Sequence, residues 1–339
     1  MALHETSYQH WTGSRSGILS RRAVIAQNGL TACLKSKWLR RVLAACWGGA
    51  LAQVCALFFL GQLLVKDSLI ARSQEHLNSQ VQIILRGITS WLEMHPEISV
   101  RVTQDFLFYQ LSRALTMLSM VAMALAVPHL ITRDLSSKAI VIYSSKAINR
   151  MDYLFGKAGT VLGLIALTWL GPVVFSWFLG NLLAPRWNFF WHSRLALIHA
   201  MEYGLCGTLV LGGLALGISA ISGREKITVA SWLGLWLLGW VFSSVAQGRR
   251  EVMSGVARRL LQHLSTTFDL NQLSTSIFRL GDDLKLAQDN IPLFGNMLQN
   301  IPPSVMTALQ SPDVWGAVTS LALMLGAAAV IIAWKVKPE

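Results

Sequence analysis

The sequence predicts an all-α integral membrane protein with six transmembrane helices and both ends on the cytoplasmic side. Three observations lead there. Only 14% of the 339 residues are charged and 53% are hydrophobic, at a mean hydropathy of +0.47; a soluble domain needs about 25% charged residues to cover its surface. Six stretches reach the roughly 20 apolar residues that cross a bilayer core. Lys and Arg gather on one set of connecting segments, as the positive-inside rule requires.

Residues 1–41 are polar and basic, so the first apolar run, too long for a signal-peptide core, is expected to stay as a span. Within this segment, 20–38 sets Arg21, Arg22, Lys35 and Lys37 among Ala23, Val24, Leu30, Cys33 and Leu34. That pattern predicts an amphipathic helix in the inner headgroup layer. Spans are expected at 42–65, 106–131, 159–183, 195–221, 227–247 and 314–334, edged by Trp38, Tyr109, Trp187, Trp191, Trp315 and Trp334. Domain limits follow: a tail and interface helix at 1–41, five spans within 42–247, an extracytoplasmic segment at 248–313, and the last span with a short tail at 314–339.

Orientation rests on charge. With the N-terminus inside, the inner segments carry 16 Lys/Arg and the short outer ones six. The basic balance is thus a topology signal, and no basic soluble face for nucleic acid is evident. Outside the membrane, Leu77, Val81, Ile84, Ile88 and Trp91 recur at helical spacing, predicting a helix over 68–95 that ends before Pro96. In 248–313, Val252, Val256, Leu260 and Leu264 form one stripe; Leu270, Leu273, Ile277, Leu280 and Leu284 form another. These predict a helical cap, broken up around Pro292, Pro302 and Pro303, that engages an external partner or shapes an exit.

The inner segment 128–157 is the most specific stretch. It carries Arg133-Asp134, a small-residue turn, an apolar run, and then Asn149, Arg150, Tyr153, Gly156 and Lys157 leading into the third span. This run resembles the permease subunits of type-2, export-type ABC transporters, with Asp134, Ser137 and Ala147 standing where that family usually has Glu, Gly and Pro. The six-span layout with an amphipathic helix ahead of it is also similar. The resemblance implies that 132–157 is the coupling loop, with a short helix over 136–143, seated in a cleft of a separate cytoplasmic ABC ATPase. The residues it assigns to ATPase coupling are Arg133, Asp134, Lys138, Tyr143, Lys146, Arg150, Asp152 and Tyr153. It further implies pairing with a second permease copy or homologue, ATP and Mg held by the partner, and a bacterial cytoplasmic (inner) membrane as the site of work.

The chain itself has no P-loop, since Gly156-Lys157 lacks the following Ser/Thr and the earlier Gly. No His-Glu-x-x-His, nucleophile elbow or Cys-x-x-Cys occurs, so no catalytic residue, metal ligand or bound cofactor is assigned. Cys33, Cys46, Cys55 and Cys206 read as small hydrophobes. Arg113 and Glu202 fall inside spans at similar depth and are expected to pair, with His199 one turn away; the alternative is that both snorkel outward. Gly159/Gly163 and Gly213/Gly217 make small-residue faces for close helix approach, and Gly171-Pro172 is expected to kink the third span. Two other classes stay open: a non-transporting scaffold that recruits a partner through the outer cap, and a membrane-embedded enzyme.

Overall fold

The computed structural model describes residues 17–63, 96–138, 149–184, 188–248, 253–290, 306 and 309–336. Among them there is no strand, and six helices are long and apolar enough to cross a membrane: Lys37–Gln62, Val100–Ser136, Arg150–Leu182, Phe190–Ile221, Glu225–Gly248 and Val314–Lys335. The helix expected over 68–95 and the breaks near Pro292, Pro302 and Pro303 lie outside the described residues. In chain order the helices are α1 (Ile18–Leu34), α2 (Lys37–Leu63), α3 (Pro96–Val127), α4 (Arg150–Ile165), α5 (Gly171–Leu182), α6 (Asn188–Ile221), α7 (Glu225–Gly248), α8 (Gly255–His263), α9 (Thr266–Ile277), α10 (Leu280–Asn290) and α11 (Val314–Lys335).

The second and third spans run well past their expected inner ends. α3 continues through a π turn at Pro128–Thr132 into a last turn, Arg133–Ser136, while α4 already begins at Arg150. At 1.5 Å per residue these spans are about 50 Å long or more, against roughly 30 Å of hydrocarbon. Beside 137–149 the overruns are five and nine residues, and the second span also starts early, at Pro96. At Gly171-Pro172, where a kink is expected, the third span resumes as α-helix directly after a π turn at Ala166–Leu170. The wider turn loosens the backbone ladder, and the Trp47 indole donates to the Leu167 carbonyl at 3.1 Å.

α3 and α6 are the most buried spans and form the centre of the bundle. Trp169, Trp232, Tyr203, Phe108, Met123 and Ile165 are its largest fully buried side chains. Gly217 meets Ala328, so the Gly213/Gly217 face serves packing of α6 against α11 within the chain. The outer surfaces of α7 and α11 carry Leu237, Trp240, Leu323 and Val330 at 62–76% exposed. An apolar belt of that size in water would be an aggregation site; it fits hydrocarbon.

α1 does not lie by itself. It runs alongside α4, with Arg22 against Asp152, Ile25 against Gly156, Ala26 against Gly159, and Leu30 against Gly163. Both partners advance together, so the helices are parallel over about three turns. A Cβ on Gly156 would stand 2.6 Å from the Ile25 Cβ and Cγ2, so this approach requires glycine. The inward stripe is therefore 22, 25, 26, 29, 30 and 33, whereas Ala23 and Val24, expected on the apolar face, are exposed.

The segment after α7 is not simply a cap on top of the bundle. α8 folds back beside α7, and its turn into α9 brings the Ser265 Cα within 3.2 Å of a Cβ built on Gly239. Gly239 lies nine residues inside the end of α7, about 13 Å down. Thr266 reaches the Met324 sulfur, ten residues inside α11, about 15 Å down. The α8–α9 hairpin thus re-enters to roughly half the depth of the spans. Val256, Leu260 and Leu264 form its exposed stripe, at 71%, 65% and 52%; Leu270, Leu273 and Leu280 of the second stripe are buried.

Candidate functional site

The charged residues flanking 139–148 meet at the base of the bundle. Asp134, in the last turn of the second span, accepts from the Tyr153 hydroxyl at 2.7 Å and faces the Lys157 ammonium at 2.7 Å. The side chains of Lys157 and Asp134 are 9% and 17% exposed. A lysine so placed holds its charge only with a counter-charge beside it. Helix α4 supplies Tyr153 and Lys157 from one face, spaced by four residues, so both reach one carboxylate. The start of the third span is thereby tied to the end of the second.

Three further contacts spread outward from this clasp. Arg22 of α1 places Nη2 at 2.6 Å and Nε at 2.8 Å from one Asp152 oxygen, and its guanidinium lies 4.7 Å from the Phe155 ring centroid. Asp152 sits in the first turn of α4, where the helix dipole also favours a carboxylate. Arg133 meets Glu225, in the first turn of α7, at 2.7 Å; both are about half exposed, so this pair is worth at most about 1 kcal/mol. Arg150 donates to the carbonyls of Ile332 and Ala333 at 3.0 and 2.8 Å, closing the last turn of α11. Burial pushes the Cys33 thiol up, with Lys157 and Arg133 acting the other way.

Of the residues assigned to coupling, Arg133, Asp134, Arg150, Asp152 and Tyr153 are therefore engaged within the chain. Lys138 is exposed and takes a left-handed φ of 55°. The helix expected to start at 136 does not: the preceding turn ends at Ser136, and Lys138 breaks it, because a left-handed residue cannot continue a right-handed helix. Tyr143 and Lys146 lie outside the described residues. Arg113 and Glu202 are not brought together. The Arg113 guanidinium reaches the Tyr109 hydroxyl at 3.4 Å, Glu202 is exposed on α6, and His199 turns to Asp105. Tyr109 lies one turn before Arg113 on α3, within reach of its guanidinium, while Asp105, one turn earlier again, meets His199 of α6.

Arg22, expected only as part of the amphipathic helix, and Glu225 were not assigned to this site from sequence. Glu225 carried a faint signal, an acid opening a span on the basic side. Arg22 carried none, since its partner lies 130 residues away. No protein-family model matches the chain, and no curated protein matches it.

The Arg150 contact carries its own prediction. Arg150→Ala leaves two carbonyls of α11 without their charged donor, which costs about 1–2 kcal/mol. Hydrogen exchange of residues 328–335 in nanodiscs is expected to speed up accordingly. Unchanged exchange would mean that water serves those carbonyls equally well.

Proposed function

We propose that the chain is the membrane-spanning permease subunit of an ATP-driven exporter of the type-2 ABC class, with 132–157 as its coupling loop and both ends in the cytoplasm. One observation carries this reading. The residues that resemble the family motif bracket 139–148 and tie it, through Asp134, Asp152, Arg133 and Arg150, to α4, α1, α7 and α11. A push delivered to 139–148 reaches four helices at once.

A coupling element needs rigid anchorage on the membrane side and free polar groups on the solvent side. Asp134, Tyr153 and Lys157 give the anchorage. Lys138, with Tyr143 and Lys146 beyond it, is the part that grips the ATPase. α1, with exposed Leu19 and Val24 beside Arg21 and Arg22, sits at the inner membrane surface and shares the load. A second permease subunit completes the path, ATP and Mg are held by the ATPase partner, and the bacterial cytoplasmic membrane is the setting. The substrate is moved outward or extracted from the bilayer.

The test is a mild-detergent pull-down of the tagged full chain with mass spectrometry and an ATPase assay. A P-loop ATPase is expected to co-purify from the native host, and its recovery should fall at least about tenfold with Lys138→Glu, a loss of about 1.4 kcal/mol. A clean preparation with no ATPase and no hydrolysis sinks the proposal.

A further inference from the structure

We propose that Asp105 and Asp283 form a single-proton binding site through which the seating of α10 on the bundle responds to pH. Asp105 on α3 is fully buried and Asp283 on α10 is 3% exposed. Asp283 has no hydrogen-bond partner on either oxygen, and Asp105 has none on Oδ2. The Arg101 Nε stands 4.0 Å from Asp105 Oδ2 and 3.9 Å from Asp283 Oδ1, between the two carboxylates without hydrogen-bonding to either. His199 on α6 places Nδ1 3.3 Å from the other Asp105 oxygen. The Gln104 Oε1, also buried and without a donor, adds a further acceptor to the same turn of α3.

Two carboxylates so placed, with one permanent cation between them, cannot both stay ionised without leaving a buried charge uncompensated. One proton restores balance, and it supplies an O–H donor to carboxylate oxygens that neither Arg101 nor His199 satisfies. Burial, and then the Asp105 charge, push Asp283 up to about 7. Among the described side chains, the elements around the pair bring no further charge to it. α3 contributes Arg101 and Asp105, and α6 contributes His199, whose ring is covered by Phe278. Arg279 before α10, and Asp282 and Lys285 on it, are exposed. Gly281, two residues before Asp283, rests on the backbone of Leu309 and Gln310.

The sign follows from linkage. Docked Asp283 holds its proton up to about pH 7, whereas undocked it is an ordinary carboxylate near 4. The seated form therefore binds more protons between those values, and seating weakens as pH rises through that window, by at most about tenfold per pH unit, then levels off. The site belongs to the chain itself and does not depend on the transporter reading.

Hydrogen exchange of 280–290 in the full chain, in nanodiscs and corrected for intrinsic rates, is the test. Wild-type protection is expected to fall from about pH 5 to about pH 7, and Asp283→Asn should remove that slope. Infrared difference spectra of the wild type should show a protonated-carboxyl band that titrates over the same window and disappears in Asp283→Asn. Should that variant not fold, loss of the band in Asp105→Asn decides. A flat wild-type profile, a slope retained in Asp283→Asn, or the absence of the band overturns the proposal. So does restoration of high-pH protection by added calcium, which would make the site a cation site.

Discussion

Asp134→Ala loosens the base of the bundle by about 3 kcal/mol, because it strands the buried Lys157 ammonium and the Tyr153 hydroxyl together. The loss should appear as a lower midpoint in denaturing-detergent titration of the full chain. Its origin in stranded charge gives a sharper test. The double variant Asp134→Leu/Lys157→Met leaves neither charge behind and keeps the volume, so it should recover most of the loss, since replacing a whole buried pair by apolar residues of similar size is often nearly neutral. A double variant no better than the single one would mean that the carboxylate acts through packing. Tyr153→Phe removes one hydrogen bond and is expected to cost only about 1 kcal/mol.

Gly156→Leu unseats α1. The first added carbon alone meets Ile25 at 2.6 Å, and overpacking of this kind costs about 1–3 kcal/mol. Trypsin cleavage after Arg21 and Arg22 reports the release, because the seated Arg22 is held on Asp152. Cleavage of the opened form should rise at least about tenfold, as it follows the open population. Ile25→Ala in the same chain makes room for the new side chain and is expected to restore much of the protection. Cleavage unchanged in Gly156→Leu would show that the α1–α4 contact yields without cost.

Much of this architecture was legible, because span length is set by the bilayer and written in hydropathy. The ends were harder. Arg150 and Lys157 on α4, and Asp134 beyond α3, interrupt the apolar runs, and only their pairing lets the helices continue through them. The docking of α1 on α4 left no hydropathy signal for a different reason: Gly29, Gly156 and Gly159 carry almost no hydropathy yet permit the closest contacts. The α8–α9 hairpin looked external because Ser265, Thr266 and Asp269 are polar. Its satisfaction is tertiary: the Thr266 hydroxyl bonds Met324, and Asp269 takes the His263 ring at 2.6 Å. At the base, Arg133, Asp134, Arg150, Asp152 and Tyr153 stand out in the sequence as a group, but not their partners within the chain. Their engagement with Arg22, Glu225 and the end of α11 spans 92 to 183 positions, beyond any local pattern.

The re-entrant hairpin has a consequence for biogenesis. With 9 and 12 residues, α8 and α9 are each too short to be released into lipid as independent spans. Between them lies a short non-helical turn whose polar groups are met partly within the hairpin and partly on α11, where Ser320 donates to the His263 carbonyl and Met324 accepts from Thr266, and unpaired backbone is not tolerated in open hydrocarbon. The hairpin can therefore settle only after the final helix has left the insertion machinery. Assembly of this protein ends with a plug drawn inward between two helices already in place, so that a chain stalled before residue 314 would present this segment, unfinished, to membrane quality control.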